Sequence, residues 1–121
     1  MLKVNRAPLK LSAYTNQDSE GNAILKAHAY LAKSAGFISA QCDLAEGKDL
    51  WGFVGLTNDP AGAGIMVGRA EAGPSSGAAV WKNITFLVAK GEYFEITTDD
   101  ADDPIIYWKS FGVLKKPVDF N

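Results

Sequence analysis

The sequence predicts an all-β chain: a jelly-roll-like antiparallel β-sandwich with a short irregular or helical N-terminal segment. Three observations carry this. From Gly36 onward, apolar residues recur with period two, the spacing of a half-buried strand. At least six such runs are separated by Gly, Pro, Asn and Asp clusters. Extended helical patterning is absent after residue 35, which argues against Rossmann and α/β-barrel folds.

The first 22 residues are mixed and polar. "KLSAY" (10–14) has the makings of a short strand, and "TNQDSEGN" (15–22) reads as a turn or linker. "AILKAHAYLAKSA" (23–35) is rich in good helix formers, yet Ile24, Ala27, Leu31 and Ala35 keep only loose helical spacing. Helix and strand both remain open there. This divides the chain into an N-terminal linker or attachment segment (1–27) and a β-sandwich head domain (28–121).

The strands follow in order. In "GFISAQCDL" (36–44), Ile38, Ala40, Cys42 and Leu44 share one face, with Phe37, Ser39, Gln41 and Asp43 on the other. After the turn "AEGKD" comes "LWGFVGL" (50–56), apolar on both faces. "TNDPAGAG" (57–64) is a loop, "IMVGRA" (65–70) a strand and "EAGPSSGA" (71–78) a loop. "VWKNITFLV" (80–88) places Val80, Ile84, Phe86 and Val88 inward and Trp81, Asn83, Thr85 and Leu87 outward. A Lys90-Gly91 turn leads to "EYFEITT" (92–98), with Phe94 and Ile96 inward and Tyr93 outward, so the two runs read as a hairpin. The acidic loop "DDADDP" (99–104) precedes the last strand, "IIYWKSFGVL" (105–114).

Composition bounds the function. With 121 residues, 47% hydrophobic and 21% charged, the chain has the makings of one folded domain. A net charge of −2 gives no footprint for nucleic acid, and no apolar run approaches a membrane span, so neither is an expected partner. The basic residues of Met1 to Lys10 lack a following apolar stretch, so no signal peptide is visible and synthesis in a cytosol is expected. The single cysteine, Cys42, rules out an intrachain disulfide and reads as a small buried hydrophobe.

The motifs with catalytic letters fail on context. Gly73-Pro74-Ser75-Ser76-Gly77 spells G-x-S-x-G, but a strand follows it and the only histidine, His28, lies upstream. The glycines of 62–68 miss the dinucleotide spacing and fit tight loop geometry instead. Asn83-Ile84-Thr85 is a glycosylation sequon within a strand. Asp99, Asp100, Asp102 and Asp103 are oxygen donors of the kind Ca²⁺ takes, without the order of an EF-hand, and a solvated turn is the preferred reading. No cofactor is expected and no catalytic residue is assigned.

The aromatic residues point further. Trp81 and Tyr93 lie off the faces that carry Phe86 and Phe94. As neighbours across the Lys90-Gly91 hairpin, they would form an outward aromatic surface covered by another subunit, as an oligomer interface, or by a ligand.

Three stretches resemble a known family. "YLAKSAGFISA" (30–40), "NITFLVAKGEYFEITT" (83–98) and "IIYWKSFGV" (105–113) are similar to motifs of the β-sandwich head domains at the tips of bacteriophage tail fibres and tailspikes. Ala35 departs from the pattern, standing where an acidic residue often precedes the glycine. These heads resemble the tumour-necrosis-factor and C1q jelly rolls and are typically homotrimers. The resemblance implies a non-enzymatic virion protein of a phage or prophage tail tip, made in the bacterial cytoplasm and binding a host cell-surface glycan or protein beside other tail proteins. Loops on the rigid sandwich would make the contact: Asn58 and Asp59 of 57–64, Ser75 and Ser76 of 71–78, or the acidic loop 99–103, with Trp51 as a stacking platform. Two other readings stand beside it: a carbohydrate-binding module or lectin, and a capsid or tail decorating protein without a receptor role.

Overall fold

The computed structural model describes residues 14–74 and 77–111. The strand expected over 10–14 lies outside these residues, apart from Tyr14. The chain is an all-β sandwich of two antiparallel sheets. Its strands are β1 (Tyr30–Leu31), β2 (Gly36–Leu44), β3 (Asp49–Gly55), β4 (Ile65–Glu71), β5 (Val80–Val88), β6 (Tyr93–Thr98) and β7 (Ile105–Ser110). One short helix, α1 (Pro60–Ala63), sits in the loop after β3. A three-stranded sheet has the order β5-β2-β7, and a four-stranded sheet the order β1-β6-β3-β4.

The period-two patterning decides which side chains enter the core. β2 alternates buried and half-buried along its whole length, with Ile38, Ala40, Cys42 and Leu44 fully enclosed. From the opposite sheet come Leu50, Val54, Phe94 and Ile96. Ile84, Phe86 and Val88 of β5 also point inward, as their spacing predicts. Three rings tie the layers together. Tyr30 stacks on Phe94 at 5.4 Å, and Phe94 stacks on Trp108 at 5.5 Å with an interplanar angle of 6°. The Trp108 indole donates to the Ser110 hydroxyl at 2.9 Å, so its polar edge is satisfied inside the core.

The stretch 23–35 is not helical. Within it Ile24 is buried in the core, and the Leu25 N–H donates to the Tyr30 hydroxyl at 2.8 Å. Further upstream Thr15 bridges Trp108 at the outer edge of β7. Residues 14–27 therefore pack as an irregular strap against the sandwich.

The Lys90-Gly91 turn is not a hairpin. Gly91 adopts φ of 87°, the left-handed conformation that glycine enters without penalty. The Glu92 carboxylate accepts from the Ala89 N–H at 2.7 Å. However, β5 pairs with β2, whereas β6 pairs with β1 and β3. The turn carries the chain from one sheet to the other. Local sequence shows a tight turn between two strands, and the packing of both inner faces across one core decides that they part.

Candidate ligand-binding face

This crossover separates the two outward aromatics. Trp81 stands on the outer face of the three-stranded sheet, opposite Asp43, and is 62% exposed. Tyr93 is half-buried on the outer face of the four-stranded sheet, opposite Leu31 and Gly55. The expectation that they are cross-strand neighbours is corrected: they lie on opposite sides of the sandwich.

The four-stranded face carries aromatic residues beside an ion-paired cluster, in which Arg69 meets Asp49 at 3.3 Å and Glu71 at 3.5 Å. Trp51, Phe53 and Tyr93 share it through the alternation of β3 and β6, and all three are half-buried. Trp51 sits between Thr97 and Arg69 in the pairing, within the sheet rather than on a loop. The neighbouring end of β3 and β4 leaves Leu56 82% and Ile65 69% exposed. Glu95 lies on the same face, opposite Phe53. Burial is the main cause that raises its pKa, Asp59 adds to the rise, and His28 opposes it.

The three-stranded face is different in kind. Its outward rows run Asn83–Gln41–Ile105 and Thr85–Ser39–Tyr107 across β5, β2 and β7. Amides and hydroxyls occupy positions where a solvent-facing sheet often carries lysine and glutamate. A cleft of about 290 Å³ opens here, lined by Tyr14, Ser39, Gln41, Asn83 and Tyr107. The chain enters at Tyr14, whose ring meets Tyr107 edge-on at 6.3 Å and 83°. The Lys109 ammonium sits 5.0 Å from the Tyr14 ring centroid. The Thr85 hydroxyl donates to Ser39 Oγ at 3.4 Å. Among the described residues, the side chains of Gln41 and Asn83 and the Tyr107 hydroxyl have no hydrogen-bond partner. Among the described residues, no charged side chain lines the cleft.

The remaining predicted site residues are scattered. Asn58 is exposed in the loop after β3. Asp59 accepts the Gly62 N–H at 3.1 Å and caps α1. Ser75 and Ser76 lie outside the described residues. Nearby, a Cβ on Gly64 would meet the Pro60 carbonyl oxygen at 2.6 Å, so close backbone approach accounts for that glycine.

The acidic loop is occupied with structural bonds. Asp99 accepts from the Asp49 N–H at 2.7 Å. Asp100 accepts from Ala45 at 2.7 Å and from Asp102 at 3.0 Å. These N–H groups, that of Asp102 foremost, hold the Asp100 carboxyl below its ordinary range. Asp103 pairs with Lys26 at 3.1 Å. No cluster of three or more metal-ligating side chains forms among the described residues.

Of the cleft residues, the alternation marks Ser39, Gln41 and Asn83 only as outward-facing and assigns no face to Tyr14 or Tyr107. A signal was available in the outward positions of 36–44 and 80–88, where Ser39, Gln41, Asn83 and Thr85 are all uncharged and polar. Their convergence depends on β5 and β7 flanking β2, which joins segments some 40 to 70 residues apart. Compared with known proteins, the chain matches no family model, no curated protein and no solved structure.

Proposed function

We propose that this chain is a non-enzymatic, homotrimeric β-sandwich head of a phage or prophage tail tip that binds a host cell-surface receptor. The observation that carries the binding role is the uncharged aromatic and amide cleft on the three-stranded sheet. Rigid strands position every lining group except Tyr14, which favours recognition over a mobile loop contact. The tail-tip assignment rests on the resemblance of residues 30–40, 83–98 and 105–113, and jelly-roll connectivity belongs to the same proposal.

The two faces divide the work. The four-stranded face, with Tyr93, Trp51, Phe53 and the exposed Met66 opposite Phe53, is the subunit contact. The three-stranded face, with Trp81 two residues from Asn83, is left outward for the receptor. Three copies would multiply a weak single contact through avidity.

Light scattering of the purified protein should give three times the 12.9 kDa chain mass, and labelled protein should adhere to cells of a susceptible bacterium. Tyr93→Ala should lower the mass, whereas Trp81→Ala should keep the mass and weaken adhesion. A monomer at micromolar concentration would sink the trimeric head. The cleft is built by one chain alone, which also favours a second reading as a lectin or carbohydrate-binding module unrelated to phage. A monomer that binds glycans would select it. A trimer that adheres to no cell would select a decorating protein.

A further inference from the structure

We infer that the Tyr14–Ser39–Gln41–Asn83–Tyr107 cleft is a carbohydrate subsite for an uncharged sugar; the inference rests on the binding reading above and names its ligand chemistry. Gln41 and Asn83 are directly opposed across β2 and β5, and Ser39 is directly opposed to Tyr107 across β2 and β7. Opposed side chains have Cβ atoms roughly 5 Å apart, so two amides, a hydroxyl and a phenol converge on one patch. Each amide brings two donors and one carbonyl acceptor, and a phenol brings one of each. These amides and the phenol have no partner among the described residues. Vicinal sugar hydroxyls, each a donor and an acceptor, complement such a set. Few other ligand classes present both roles at neighbouring atoms without charge.

The charge pattern selects among sugars. Among the described residues, carboxylates and cations are absent from the lining, so a sialyl, uronic or phosphorylated sugar would find no ion pair with them. The Lys109 ammonium lies over the Tyr14 ring. The aromatic geometry selects against a nucleobase. A flat base is held between parallel planes or on an open ring face. Here the two tyrosines meet at 83° and form a corner, which suits the C–H face and hydroxyl edge of a pyranose. The cleft volume of about 290 Å³ lies at the lower end of ligand sites, roughly 300–1,000 Å³, which fits one or two rings. A single-site affinity on the order of millimolar follows from so few ligand atoms.

The test is an amide-resolved NMR titration of the full chain with a panel of uncharged hexose and N-acetylhexosamine disaccharides, run beside their sialylated and uronic counterparts. At least one neutral sugar should give saturable shifts centred on the side-chain amides of Gln41 and Asn83. Asn83→Ala and Gln41→Ala should each weaken that binding about tenfold. Tyr107→Phe, which keeps the ring and removes the hydroxyl, should weaken it by less. These outward substitutions should leave the urea midpoint unchanged, separating lost binding from lost fold. The inference is overturned if no neutral sugar shifts these amides up to tens of millimolar, or if a charged sugar binds there more tightly. Cell adhesion that survives Asn83→Ala together with Gln41→Ala overturns the cleft and spares the attachment reading. Sugar binding in the cleft without adhesion to any cell overturns the attachment reading and spares the cleft.

Discussion

Gly52 and Gly68 face each other across β3 and β4 on the inner side of the four-stranded sheet, yet alanine should act oppositely at the two positions. A Cβ on Gly52 would run into the Phe86 ring, colliding with Cε1 and standing 2.9 Å from Cδ1 and from Cζ. Phe86 is 6% exposed, so its ring has no open space to turn into. Overpacking of this kind costs about 1–3 kcal/mol. With a urea slope of about 2 kcal/mol per molar, the midpoint of Gly52→Ala should fall by about 1 M at constant slope. A Cβ on Gly68 would instead rest 3.4 Å from Ile84 and from Phe86 Cδ1, close to ordinary contact. Its backbone is not left-handed, so alanine there should gain about 0.4–1 kcal/mol by restricting the unfolded chain. Urea titration monitored by tryptophan fluorescence reads both, because Trp108 is in the core. Adding Phe86→Leu to Gly52→Ala should restore part of the loss, with a coupling of about 0.5–3 kcal/mol. An unchanged midpoint for Gly52→Ala, or an equal fall for Gly68→Ala, would refute the claim that Phe86 fills the space above Gly52.

Further outcomes concern ionisation. Asp100 has a lowered pKa, so its contribution to stability is full above the ordinary aspartate value and is lost as pH falls through the lowered value. Asp100→Asn should therefore flatten the acid limb of the stability profile, measured by urea midpoints against pH. Glu95 has the opposite sign. Its raised pKa means that the folded state disfavours the carboxylate, a loss that sets in as pH rises from the ordinary glutamate value through the raised one. Glu95→Gln should raise the midpoint at neutral pH, and the gain should vanish below the ordinary glutamate range. The Cys42 thiol is pushed up by burial first, then by Asp100 and Asp102, with Lys26 opposing. It should resist a thiol reagent at neutral pH in the folded protein and react at once in denaturant.

Much of the sandwich was legible because the direction of a strand side chain is a local property. The inward sets of 36–44 and 80–88, and the core placement of Phe94 and Ile96, follow from the pleat alone. The turn chemistry at Lys90-Gly91 was legible for the same reason. The conformation of 23–35 was not. Its alanine-rich composition leaves local preference undecided, and burial of Ile24 and Tyr30 against the core settles it.

By itself, then, the sequence determined that the chain from Gly36 onward is built of strands, where those strands run and which residues they turn inward, since pleat and turn are written within a few neighbouring residues. Only the tertiary structure decided which strands pair. Pairing joins distant segments and is set by how both sheets close over one core, with the Tyr30–Phe94–Trp108 stack between them. That decision sends β5 and β6 to different sheets and places Trp81 and Tyr93 on opposite faces. It also brings Ser39, Gln41, Asn83 and Tyr107 together beneath Tyr14.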